Sequence, residues 1–194
     1  MVSGMGAGPA AFGAQRLIDT GARGLVSFGT CGGLDGGLRA GDLVVASSVM
    51  DAAGSCYGAD EAASRWVAER AGARTVRGLL VSAAGVVADC DAKRALRARS
   101  GACAVDMESA AVAAAAVRCG RPFIVVRAVV DDADTVLPRA VTASVRPNGD
   151  VAWMPFLRHL GFSPHAWGEI ATLMRSAHKA ERTLGRVARA LAGS

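Results

Sequence analysis

Apolar residues in this chain fall into short β-branched blocks set between alanine-rich stretches and glycine-rich turns, an alternation that predicts strand and helix in succession. The densest block runs from Phe123 to Val130, with Arg127 as its one charge, and reads as a buried strand. It leads without a spacer into Asp131, Asp132 and Asp134. A strand interior does not hold three carboxylates, so they belong where the strand leaves the sheet, and in open α/β sheets the carboxyl ends of the strands are where ligands bind. On the residues alone, a solvated acidic loop is the plainer alternative.

Similar blocks predict strands over 24–28, 42–50, 75–83 and 102–105. Between them, helices are expected over 10–20, with Pro9 in its first position, and over 60–72. A short basic helix capped by Asp91 runs to Arg99, and an alanine-rich helix opened by Glu108 ends near Gly120. The order predicts an α/β fold, a sheet covered on both faces with right-handed crossovers.

Two glycine-rich stretches interrupt this order. Gly4, Gly6 and Gly8 precede the first helix and permit close backbone approach at its N-terminus, by a ligand or merely by a tight turn. The G-x-G-x-G spacing, with no strand before it here, supports a dinucleotide fingerprint poorly. From Gly29 to Gly37, five of nine residues are glycine, and Thr30 adds a hydroxyl. This loop suits an anion or a sugar hydroxyl, or serves as a connector.

The last third differs. Arg146 to Gly149 reads as a turn, and Trp153, Met154, Phe156 and Leu157 form an apolar cluster. Ser163-Pro164 then begins a long helix with one apolar face (Leu173, Ala177, Ala180, Leu184, Val187, Leu191). Arg175, Lys179, Arg182, Arg186 and Arg189 follow the same rhythm on another face. Such a face is either solvated or docks on an anionic membrane surface.

Composition narrows the classes. At 194 residues the chain suits one domain, residues 1–194, with a C-terminal helical extension over about 151–192. No apolar run is long enough to span a bilayer, and the first residues lack a secretory pattern, so a cytoplasmic location is expected. Five cysteines and three histidines show no metal-ligand spacing; no metal and no resident cofactor are expected. The net charge of +5 is concentrated in the segment from Arg158 to Arg189, at +4, which argues against a general nucleic-acid binder.

Six stretches taken in order resemble the nucleoside phosphorylase and nucleosidase superfamily: SGMGAGPAA from Ser3, SFGTCGGL from Ser27, AGDLVV from Ala40, GLLVSAAGVV from Gly78, AVDMESAAVA from Ala104 and PFIVVRAVVDDAD from Pro122. The RPNGDVAWMPFL segment and the basic helix look closer to the hopanoid-associated branch. The resemblance implies a three-layer α/β/α fold with a central mixed sheet, its N-terminal strands apparently missing, and a long C-terminal helix. It implies cleavage of an adenine nucleoside at its N-glycosidic bond, releasing adenine, with adenosylhopane as substrate, water or phosphate as nucleophile, and a homo-oligomer. A methylthioadenosine/adenosylhomocysteine nucleosidase and a non-catalytic nucleoside binder are the alternatives. It also assigns roles. Asp131 matches the acid that protonates purine N7, with Asp132 and Asp134 raising its pKa. Glu108 matches the acceptor for the ribose hydroxyls and Met107 the residue packed on the sugar. Val86 and Val87 fall against the base, and Gly29 and Thr30 near the nucleophile, with Gly6 at the first glycine turn. Two departures bear on chemistry: Ser27 stands where hexameric phosphorylases carry arginine, and Val130 where nucleosidases carry serine.

Overall fold

The computed structural model describes residues 6–137 and 164–192. The turn at Arg146, the apolar cluster from Trp153 to Leu157 and the first residues of the N-terminal glycine turn lie outside them. Helix α1 covers Ala7–Asp19 and is followed by β1 (Leu25–Gly33), β2 (Leu43–Met50) and β3 (Cys56–Gly58). Then come α2 (Glu61–Arg70), β4 (Thr75–Ser82), α3 (Cys90–Ser100), β5 (Ala104–Asp106), α4 (Ser109–Arg118) and β6 (Phe123–Asp131). The long helix, here α5, spans Pro164–Ala192.

The strands form one mixed sheet in the order β3-β2-β4-β5-β1-β6. Strand β6 pairs in parallel with β1 and, at its middle, antiparallel with β2, so the sheet curls until its far strands meet. One face buries Val44, Val49, Leu80, Val125 and Val129 against alanines of α1 and α4, whose small side chains let helix and sheet approach closely. The other buries Leu43, Val45, Ile124 and Val126 against Val67 of α2 and Val187 of α5. The expected three layers are present, around a sheet more strongly curved than the strand order alone implies.

Local differences have local causes. Strand β1 does not stop at Phe28: it continues to Gly33, because Gly29 to Gly32 stay paired with β6, through a register shift between Cys31 and Gly32, and Gly32 and Gly33 also pair with β5. The glycine-rich stretch expected as a loop is therefore half strand. Asp89, not Asp91, caps α3, its carboxylate accepting from the Ala92 N–H at 2.7 Å; Asp91 sits in the first turn and pairs with Arg94. Pro9 is the third residue of α1 rather than the first, still within the turn whose N–H groups lack helical partners. The short edge strand β3 carries no sequence signal above a turn.

Helix α5 lies with Ala180, Thr183 and Val187 buried and its basic residues exposed. The Thr183 hydroxyl donates to the Gly41 carbonyl at 2.8 Å, tying the helix to the turn before β2. No helix among the described residues is long and apolar enough to cross a membrane.

Candidate active site

A cavity of about 850 Å³ opens at the carboxyl ends of β1 and β6, beside the loop that follows β4. Asp131, Glu108, Met107, Val86, Val87, Gly29 and Thr30 all line it. Gly6 sits at its edge, where its N–H donates to Glu108 Oε1 at 2.8 Å across 102 residues of sequence. The fold thus brings together residues that the sequence scatters over three loops and two strands. Their roles remain matters of chemistry.

Asp131 is the last residue of β6 and almost wholly buried. Its Oδ2 accepts from the ammonium of Lys93 at 2.5 Å, and Lys93 is 0% exposed. The same ammonium donates to the carbonyls of Asp132 at 2.6 Å and Thr135 at 2.8 Å. Burial pushes the Asp131 carboxyl above its ordinary range; the Lys93 cation pulls against that rise and the Asp132 charge adds to it. Asp134, expected to contribute, is exposed and interacts instead with Arg94. A carboxyl raised in this way stays protonated further toward neutrality, as a general acid requires.

Glu108 precedes α4 without capping it: no helix N–H bonds to its side chain. Its carboxylate turns to the cavity edge instead, with Oε2 at 3.7 Å from the Arg127 guanidinium. Arg127 is the centre of a buried polar cluster. It pairs with Asp106 at 2.7 Å and donates to Ser27 Oγ at 2.8 Å and Ser109 Oγ at 3.0 Å. Asp106 is completed by the Ser82 hydroxyl at 2.6 Å and by Ser109. Every buried side-chain polar atom of this cluster has a partner, which is what allows it to be buried.

Gly29 explains how the guanidinium fits. It faces Arg127 directly across the parallel β1–β6 ladder, and a Cβ at Gly29 would collide with Arg127 Nη1. Register partners in such a pair share a face, so a side chain at position 29 and this arginine rotamer exclude each other. Under the acid the fit at Gly32 is tight rather than exclusive: a Cβ there would sit 3.2 Å from Asp131 Oδ2, so the carboxyl would have to give by a few tenths of an ångström.

Cys31 lines the same cavity, yet burial drives its thiol well above the ordinary value, so it is held as an inert thiol rather than a nucleophile. Among the described residues no group of three His, Cys, Asp or Glu side chains is arranged to hold a metal ion.

Sequence reasoning missed Lys93, Asp106, Ser82 and Ser109, read Ser27 only as a departure from an arginine, and saw Arg127 only as a strand charge. Arg127 carried a usable signal, because a lone cation inside an apolar strand needs a buried acceptor. Lys93 carried a weaker one: it shares a helix face with Leu96, three residues on, and both are buried.

A family model described as the phosphorylase superfamily matches residues 1–150. A 5′-methylthioadenosine/S-adenosylhomocysteine nucleosidase from Geobacillus kaustophilus is 33% identical over 151 residues, covering 66% of this chain and 64% of the relative. The chain therefore spans just under two-thirds of that relative's length. Among solved structures, the 5′-methylthioadenosine/S-adenosylhomocysteine nucleosidase of Neisseria meningitidis, in complex with methylthio-immucillin-A, aligns with a TM-score of 0.67 at 23% identity, over 96% of this chain and 78% of that one. A futalosine hydrolase mutant of Helicobacter pylori gives a TM-score of 0.67 at 20% identity, over 96% and 78% of the two chains. At these identities the structural likeness is one of fold.

Proposed function

From the premise that the chain belongs to the phosphorylase superfamily, we propose that it cleaves the N-glycosidic bond of an adenine nucleoside. Asp131 gives its proton to purine N7 as the N9–C1′ bond breaks, and the bonding electrons leave with the base. Water adds to the oxocarbenium-like C1′ and releases a proton to solvent, from which Asp131 is reprotonated. Glu108 accepts the ribose hydroxyls and favours the developing positive charge, while Met107 packs on the sugar and Val86 and Val87 on the base. The observation that carries this reading is a buried carboxyl with a raised pKa sharing one cavity with a second carboxylate, that of Glu108. No resident cofactor is invoked. Phosphate in place of water is the alternative nucleophile: Ser27 lacks an arginine's charge, and the Arg127 guanidinium that reaches it from the neighbouring strand is already paired with Asp106.

A short 5′ thioether on the nucleoside agrees with the name of the relative at 33% identity. A second reading, adenosylhopane, is favoured by the apolar part of the cavity lining, where Leu17, Phe28, Leu137 and Leu173 offer surface suited to a bulky 5′ substituent. Incubation with methylthioadenosine, adenosylhopane and inosine, each with and without phosphate, tests both. Adenine is expected from at least one adenine nucleoside and hypoxanthine from none. No adenine from any of them sinks the reading.

The hopanoid reading brings a membrane contact with it. Arg74 and the exposed Lys179, Arg182, Arg186 and Arg189 line a groove of about 910 Å³ along α5, against the acidic Asp42 and Glu181. Each such cation near an anionic leaflet contributes about 1 kcal/mol. The protein is expected to sediment with phosphatidylglycerol vesicles at low salt and to be released as salt rises; equal recovery with neutral vesicles would count against peripheral binding.

A further inference from the structure

Lysine is almost never wholly buried unless something demands it. Among the described residues Lys93 is a wholly buried lysine, and its ammonium is used to capacity: three donors meet three acceptors, Asp131 Oδ2, the Asp132 carbonyl and the Thr135 carbonyl. No donor is left for a ligand. Meanwhile Asp131 Oδ1 accepts no hydrogen bond among the described residues, and Asp131 lines the cavity. The residue before it, Val130, offers no polar group that could orient the carboxyl.

We propose that Lys93 is the positioning residue for Asp131: it fixes Oδ2 and the turn after β6 in one arrangement, so that Oδ1 is the oxygen presented to the ligand. The inference rests on the N-glycosidic reading above and adds a residue to it. Charge-assisted bonds are roughly twice as strong as neutral ones, and three of them converge on one nitrogen. They join α3 to residues 131–135, and the chain is pinned again where the Leu137 N–H donates to the Ala88 carbonyl at 2.8 Å.

The loop carrying Val86 and Val87, which precedes α3, is thereby held against the turn that carries the acid. A displacement of 1 Å at a reacting group can lower a rate by about 100-fold, so such a clamp matters to catalysis without touching the substrate.

The role has a signature in pH. The charged or titratable groups facing Asp131 are Lys93 from α3, Asp132 in its own turn and Cys31 from β1. Only Lys93 favours the ionised carboxylate. A general acid works while protonated, so activity falls as pH rises through its pKa. Without the cation that pKa moves up, and the alkaline limb of kcat moves up with it.

The test uses the full chain and the adenine nucleoside it cleaves. Lys93→Met is expected to lower kcat by about 10- to 100-fold with KM within about threefold, and to shift the alkaline limb of kcat to higher pH. Lys93→Arg, which keeps the charge, is expected to leave that limb in place. A folded Lys93→Met protein with wild-type kcat and an unmoved limb overturns the proposal. Because Lys93→Met leaves a buried carboxylate unpaired, the wild-type protein supplies a second measurement. The ¹⁵N resonance of the Lys93 ammonium should shift as the Asp131 carboxyl titrates, and its absence from that titration overturns the contact without any variant. Should wild-type protein cleave no nucleoside, the functional reading fails while this resonance still reports on the clamp.

Discussion

Replacing Asp131 by Asn is expected to lower turnover of an adenine nucleoside by about 10²- to 10⁴-fold, the range supplied by a positioned general acid. The substitution is nearly isosteric and leaves an amide oxygen to accept from Lys93, so the turn after β6 keeps its anchor. What it removes is the proton, together with the negative charge opposite the buried Lys93 ammonium. Nucleoside affinity, measured calorimetrically, should therefore change little while single-turnover cleavage collapses. Equal loss of binding and turnover would instead mark Asp131 as a structural residue, and undiminished turnover would remove it from the mechanism.

The second large effect concerns stability. Arg127→Met is expected to destabilise the fold by about 3–5 kcal/mol, because it leaves the buried Asp106 carboxylate without its cation. Against a typical total of about 5–15 kcal/mol, this is a large share of the margin. The urea midpoint should fall accordingly. Adding Asp106→Asn to Arg127→Met should recover part of the loss, since the remaining serines can satisfy a neutral amide whereas they do not neutralise a charge. A midpoint that is unchanged in the single variant, or no recovery in the double, would mean that the pair carries little of the fold's stability. Arg127→Met also empties the space under Gly29 and withdraws the cation 3.7 Å from Glu108, so a fall in activity alone would not separate these roles.

Two corrections show where sequence reasoning meets its limit. The stretch from Gly29 to Gly33 has the composition of a loop, and glycine weakens a strand. It is nevertheless strand, because two flanking partners supply its hydrogen bonds and because Arg127 occupies the space that a side chain at Gly29 would fill. Asp89 and Asp91 are equally good caps by residue type. The choice between them follows from where the chain enters the helix, with Asp89 in an extended conformation and its carboxylate on the Ala92 N–H.

By itself the sequence determined the order of strands and helices apart from the short β3, the faces of the long helix and the position of Asp131 at the end of the most apolar strand. These follow from local period and composition, properties carried within about ten residues. The candidate acid was legible for that reason: a carboxylate run cannot remain inside a buried strand. Its environment was not. Lys93 lies 38 residues away, Ser27 lies 100 residues from Arg127, and Gly6 lies 102 residues from Glu108. Only the tertiary structure decided those pairings, because burial of a charge is settled by what the folded chain brings within hydrogen-bond distance, and no local pattern encodes that. The acidic neighbours expected to raise the pKa of Asp131 thus gave way to burial as the main cause, with a lysine from another helix opposing it.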